Sequence, residues 1–130
     1  MFVSSRLLAA VTAAFLVIPA AQAQHHAPPA AKAPQFVYVL RVAPHLQDES
    51  KWSDKDKAAT SRHFQRLKKA AEDGKVILAG RTTEGLDKTF GLVVFEADNE
   101  AAAKAFMEAD PAVAAGVMTG RSGGPLSAAI

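Results

Sequence analysis

Three short segments of this chain are apolar on both of the faces that a β-strand would present, and that constrains the fold more than any other feature. In residues 36–42, Phe36, Tyr38, Leu40 and Val42 share one face while Val37 and Val39 share the other. In residues 89–96, Phe90, Leu92 and Val94 alternate with Gly91, Val93 and Phe95. In residues 76–82, Val76 and Leu78 stand against Ile77 and Ala79. A sheet with one face in water alternates apolar and polar residues. A bare apolar face of this size would be an unusual surface patch. Both faces therefore need cover. Helices can supply one cover, and a second copy packed sheet against sheet can supply the other, which predicts a homodimer. The competing arrangement is a monomer whose amino-terminal tether or carboxy-terminal tail lies over the sheet.

Helix signals fall between these strands. Ser53 is a good N-cap, with Asp54 and Asp56 in the first turn where acids favour the helix dipole. The helix is expected to run to about Asp73 and to stop at Gly74. Its buried stripe reads Thr60, Phe64, Leu67 and Ala71, at helical spacing. Residues 83–88 form a turn, so the second and third strands make a hairpin. Asp98 is placed to cap a second helix over residues 99–109, with Ala102, Ala105, Phe106 and Ala109 facing inward and a Glu100–Lys104 pair outside. Residues 111–115 suggest one short turn, and residues 117–122 a fourth, edge-like strand that Gly123-Gly-Pro125 would break. The order is β-α-β-β-α-β. It predicts an α+β, ferredoxin-like fold in which two helices cover one face of a four-stranded antiparallel sheet.

The amino-terminal residues read differently. Arg6 precedes an apolar run over residues 7–18, and Pro19-Ala-Ala-Gln-Ala23 ends in a small-x-small signature. This is the pattern of a secretory signal peptide over residues 1–23, cut after Ala23. A retained membrane anchor is the rival reading, but the run falls short of the roughly 20 residues that span a bilayer comfortably. Residues 24–34 form a Pro/Ala-rich tether, and the folded domain is expected over residues 35–130. Export implies a periplasmic or secreted protein with no membrane contact after cleavage. The chain has no cysteine and so uses neither disulfides nor thiol chemistry. Removal of the leader takes one arginine and no acid from the 15 basic and 13 acidic residues, leaving 14 against 13. The sequence pI of about 9.0 is therefore no nucleic-acid signal, and no basic stripe appears.

Little in the chain looks catalytic apart from a lone imidazole, His63, on the first helix and a lone carboxylate, Asp110, just before a proline. Together they would form an acid–base pair: a carboxylate bonded to one ring nitrogen fixes the tautomer and frees the other nitrogen for proton transfer. Each has a structural reading as well. A helix histidine is often bonded to backbone, and Asp-Pro commonly starts a turn. Arg41 and Arg81, near the ends of the first two strands, could hold an anionic or phenolate substrate or be solvated surface charges. Trp52 precedes the helix cap and can staple the loop or shield a pocket; Tyr38 suits a core or a dimer interface, and His45 an exposed loop. The glycines beside Ser122 follow no strand-to-helix pattern and make no phosphate loop.

Several of these residues carry a resemblance. The strand Phe36-Val-Tyr-Val-Leu40, His63 followed by Leu67, Gly74 and Ala79-Gly80, and Phe95 before an alanine-rich helix all belong to it. Most specific is Ala109-Asp110-Pro111-Ala-Val113-Ala-Ala-Gly116-Val117. Over about residues 35–121 the chain resembles the YCII-related family. The resemblance implies a dimeric α+β barrel and an active site built from a helix histidine and the aspartate of the Asp-Pro motif, here His63 and Asp110. A dehydrochlorinase acting on a chlorinated hydroquinone belongs to the broader group, and many members have no assigned reaction. The chain departs from the family pattern in carrying Thr60 where many relatives have arginine, and Arg81 where many have proline. The resulting expectation is a cofactor-independent lyase or isomerase. It would act on a small cyclic or aromatic metabolite in a pocket between the first helix and the sheet. A non-catalytic dimeric module that binds a small ligand or a metal is the alternative.

Cleavage after Ala23 would also expose Gln24-His25-His26. A free amine with a histidine at position three can wrap Cu²⁺ or Ni²⁺ in square-planar nitrogen geometry, which those ions favour. Cyclisation of Gln24 would block the amine, and His25 and His26 can equally be solvated tether. If the metal reading is right, acetylating the mature amino terminus abolishes tight Cu²⁺ binding in a calorimetric titration. Unchanged binding would refute it.

Overall fold

The computed structural model describes residues 32–127, so the expected leader, His25, His26 and most of the tether lie outside the described residues. Helix α1 (Asp54–Glu72) begins where the sequence signals it. The Ser53 hydroxyl accepts from the Asp56 amide at 3.3 Å, and Asp56 accepts from the Ser53 amide at 2.8 Å. This reciprocal capping box satisfies two amides that a helix start leaves unpaired. The helix ends at Gly74, whose φ of 77° lies in the left-handed region that glycine enters without a Cβ clash.

Four strands, β1 (Gln35–Val42), β2 (Val76–Arg81), β3 (Gly91–Glu96) and β4 (Met118–Pro125), form one antiparallel sheet in the order β2-β3-β1-β4. With α2 (Glu100–Glu108) and the short α3 (Pro111–Ala114) this is the ferredoxin-like split arrangement. Phe36, Tyr38 and Leu40 of β1, with Val93 and Phe95 of β3, are buried against Leu67 and Ala70 of α1 and Ala103 and Met107 of α2. Phe95 stacks on Phe106 with ring centroids 4.8 Å apart. Two short 3-10 turns, Pro44–Leu46 and Glu49–Lys51, fold the loop ahead of α1. Among the described residues no helix is long and apolar enough to cross a membrane.

Several local expectations are corrected. The buried stripe of α1 is Ala59, His63, Leu67 and Ala70. Phe64 is 62% exposed and Ala71 is also exposed, because that flank of the helix looks into an open cavity and not into the packed core. In α2 the buried residues are Ala103 and Met107, while Ala105 and Ala109 face solvent. Asn99, one residue later than expected, caps that helix through the Ala102 amide, and Lys104 pairs with Glu108 at 3.6 Å. A bulge between Val76 and Leu78 breaks the alternation of β2. Val76 is buried with Phe95, but Leu78 moves to the outer face opposite Val94. Strand β4 runs on through Gly123-Gly-Pro125, since an edge strand tolerates proline. Glycine at position 120 lets α2 come close, as a Cβ there would sit 2.8 Å from Met107 Sδ.

The two-faced character of the strands persists in three dimensions. Val37, Val39, Leu92 and Val94 line the outer face and are only half-buried in the single chain. Leu78 continues that face at 52% exposure. The other face carries the helices, and α3 packs against α1 at the end of the core that holds His63.

Candidate active site

The local sequence sets the site's geometry. Asp110 closes the gap between α2 and α3 and serves as N-cap of α3, with Pro111 at the first helical position where its missing N–H costs nothing. Its Oδ1 accepts from the Ala112 amide at 2.9 Å. That leaves Oδ2 facing α1, where it accepts from His63 Nδ1 at 2.7 Å. His63 lies in the middle of the buried stripe of α1, and Asp110 is 0% exposed.

The electrostatics favour an anionic Asp110. Burial, the largest single influence, would raise its carboxyl. The hydrogen bond and charge of His63, the Ala112 amide and the Arg66 guanidinium together outweigh burial and hold it below the usual carboxylate range. An ionised carboxylate can only accept, so Nδ1 carries the hydrogen and Nε2 is left for chemistry. Among the described residues no group bonds Nε2.

The ring of His63 lines a cavity of about 580 Å³ between α1 and the end of the sheet where β1 and β2 finish and β3 begins. This size suits a small molecule. Asp110 is not in the wall; it stands behind the imidazole. Trp52, Phe64, Leu86 and Phe90 give the cavity apolar walls. Trp52 both staples and lines: its indole N–H donates to the Leu46 carbonyl at 2.7 Å. Arg41 and Arg81 both reach the rim and both are exposed. Arg41 donates to the Lys88 carbonyl at 3.3 Å and lies 5.5 Å from the Phe90 ring centroid. With Lys68 they set three cations against one carboxylate, Glu49, among the lining residues. Among the described residues no group of three or more His, Cys, Asp or Glu side chains could hold a metal ion.

The structure thus brings His63 and Asp110 together and puts Arg41, Arg81 and Trp52 at the same cavity. His45 is exposed on the loop, and Tyr38 is fully buried core. Sequence reasoning missed Arg66, whose Nη1 lies 3.8 Å from Asp110 Oδ2. The available signal was its spacing, three residues after His63 and therefore on the same helix face.

A model of the YCII-related domain matches residues 36–122. No curated protein matches the chain.

Because the folded Asp110 carboxyl ionises below its unfolded value near 3.9, its contribution to stability is fully present above about pH 4 and is lost as pH falls through the folded value. Asp110→Asn removes that contribution. Urea denaturation is expected to show the variant less stable by roughly 2 kcal/mol at neutral pH, the scale of a hydrogen bond to a charged group. The gap should narrow as the pH drops below about 4. A gap that stays constant across that range would contradict the assignment.

Proposed function

The chain belongs to the YCII-related family, and on that footing we propose that it is an exported small-molecule enzyme in which His63 is the general acid/base and Asp110 its orienting partner. One observation carries the reading: a 2.7 Å bond ties Nδ1 to a buried carboxylate while the same ring faces a cavity of about 580 Å³. Nε2 removes a proton from substrate carbon, and the resulting imidazolium is steadied by the carboxylate behind it. Returning the proton at a neighbouring atom completes an isomerisation. Departure of a leaving group with its bonding pair completes an elimination. Both reactions need these groups and no cofactor.

The walls suggest the substrate. Trp52, Phe64 and Phe90 suit a small cyclic or aromatic body, and Arg41 and Arg81 suit an anionic or phenolate group at the rim. Export to the periplasm or the medium is supported by the leader-like residues 1–23. The working unit is a homodimer in which the outer faces of two sheets bury Val37, Val39, Leu92 and Val94 against each other, as their apolar character favours.

A second reading, a binding module without turnover, is favoured by the structural work that Asp110 already does as N-cap of α3. The two separate on one variant. Metabolites that raise the melting temperature of the wild type are tested for turnover by NMR. His63→Ala is expected to lower turnover by about 10²–10⁴-fold, with the dimer unchanged on sedimentation. Full activity in His63→Ala removes the mechanism, and a ligand that binds both proteins equally without turnover favours the module.

The assembly has its own test. Val39→Asp places a charge in the middle of the outer face, opposite Leu92 and Arg121. It should convert the sedimenting species from dimer to monomer. A wild type that sediments as a monomer at every concentration would refute the dimer and leave the acid–base chemistry untouched.

A further inference from the structure

Behind the His63–Asp110 pair, on the side away from the cavity, two more polar atoms converge, Arg66 Nη1 and the Tyr38 hydroxyl. Arg66 Nη1 stops 3.8 Å from Asp110 Oδ2, beyond hydrogen-bond reach. The Tyr38 hydroxyl, on the core side of β1, lies beside both Asp110 and Arg66. Both Nη1 and the hydroxyl are buried and unpartnered among the described residues. Burial first, and then the charge of Asp110, push the Tyr38 phenol well above its usual range, so it stays a neutral donor. Stranding two donors beside a buried carboxylate is costly, and apolar side chains could fill the same space.

The rest of Arg66 is firmly held. Its Nη2 donates to the Phe106 carbonyl at 2.7 Å, and the guanidinium carbon lies 4.1 Å from the Phe106 ring centroid. The guanidinium is thus fixed on α2 through Phe106 and cannot swing to solvent without losing both contacts. The titratable and charged groups around Asp110 are then His63 and Arg66 from α1 and Tyr38 from β1, joined by the amide of Ala112 at the start of α3.

We infer that Arg66 is a positioning residue for the His63–Asp110 pair: its braced guanidinium, 3.8 Å from Oδ2, supports the charge of the carboxylate and through it the strength of the bond to His63 Nδ1–H. The importance of that role for turnover rests on the acid–base reading above, but the positioning itself does not. A clamp of α1 on α2 through the Phe106 carbonyl is the merely structural alternative, and it would leave the carboxylate indifferent to the guanidinium's charge.

The test is an NMR titration of the full chain, with ¹³C in the aspartate carboxyls and ¹⁵N in the histidine rings. Arg66→Met keeps an unbranched apolar stem but removes the guanidinium, with its charge and its bond to the Phe106 carbonyl. It is expected to shift the Asp110 carboxyl midpoint upward and to weaken the bond from Nδ1–H, read as a changed ¹⁵N shift of the His63 Nδ1 signal. Arg66→Lys is expected to restore most of both properties. Should Arg66→Met fail to fold, Arg66→Gln removes the charge while keeping a donor for the Phe106 carbonyl, and the same two shifts are read from it. A folded, charge-free variant with the carboxyl midpoint and the Nδ1 shift of the wild type would overturn the inference and leave Arg66 as a clamp. Because no turnover is measured, these shifts in a protein that proves inactive would keep the positioning and lose only the enzyme.

Discussion

The bond between His63 and Asp110 joins the two halves of the molecule. One partner sits mid-way along α1 and the other caps α3, 47 residues later in the chain. Each half brings its partner to the same place for a local reason. The capping box at Ser53 sets where α1 starts, and hence which residues meet the sheet. The Asp-Pro pair turns the chain out of α2 and leaves one carboxylate oxygen for an amide and the other for the imidazole. Remove the bond and the carboxylate is a buried charge short of its main partner, which is far worse than having no charge there at all.

The sheet separates two tasks. Its helix-bearing face is closed by Phe36, Tyr38 and Phe95 at the end near α2, where rings stack on Phe106. Towards the opposite end α1 no longer seals against the strands, and the gap is the cavity. The His63–Asp110 pair lies at the boundary between the packed and the open halves. The imidazole therefore has a fully buried carboxylate on one side and a cavity on the other. The outer face takes no part in this and is free to serve assembly.

Much of this was legible in the sequence, for reasons that can be stated residue by residue. Ser53, Gly74 and the alternation in β1 and β3 are local signals, set by the backbone's own needs, and they survive folding. The stripe of α1 was read one residue out of phase because Phe64 and Ala71 looked like core. They are apolar because they wall a cavity, and a hydrophobic pattern cannot tell an empty space from a filled one. The bulge in β2 shifts Leu78 across the sheet without any glycine or proline at the site to announce it. The spacing of Ala105 and Ala109 suggested burial, but alanine is small enough to sit in water at little cost. Arg66 was harder to read for the opposite reason: its spacing puts it on the His63 face, but arginine on a helix is usually solvated, and its guanidinium lies over Phe106 of another helix.

Stability alone does not account for the polar cluster. A buried ion pair is commonly neutral or worse for folding than apolar residues of the same volume. Here the cluster includes a carboxylate with no exposure, a phenol and a guanidinium nitrogen without partners among the described residues, and an imidazole, beside a core that is otherwise aliphatic and aromatic. If joining α1 to α3 were the only task, leucine and alanine would do it with fewer unmet bonds. The arrangement makes sense if its product is the state of the imidazole, with Nδ1 held by the carboxylate in a residue that lines the cavity. Core volume given to polar groups in this way is lost to packing, and what it yields is one defined hydrogen bond between α1 and the cap of α3.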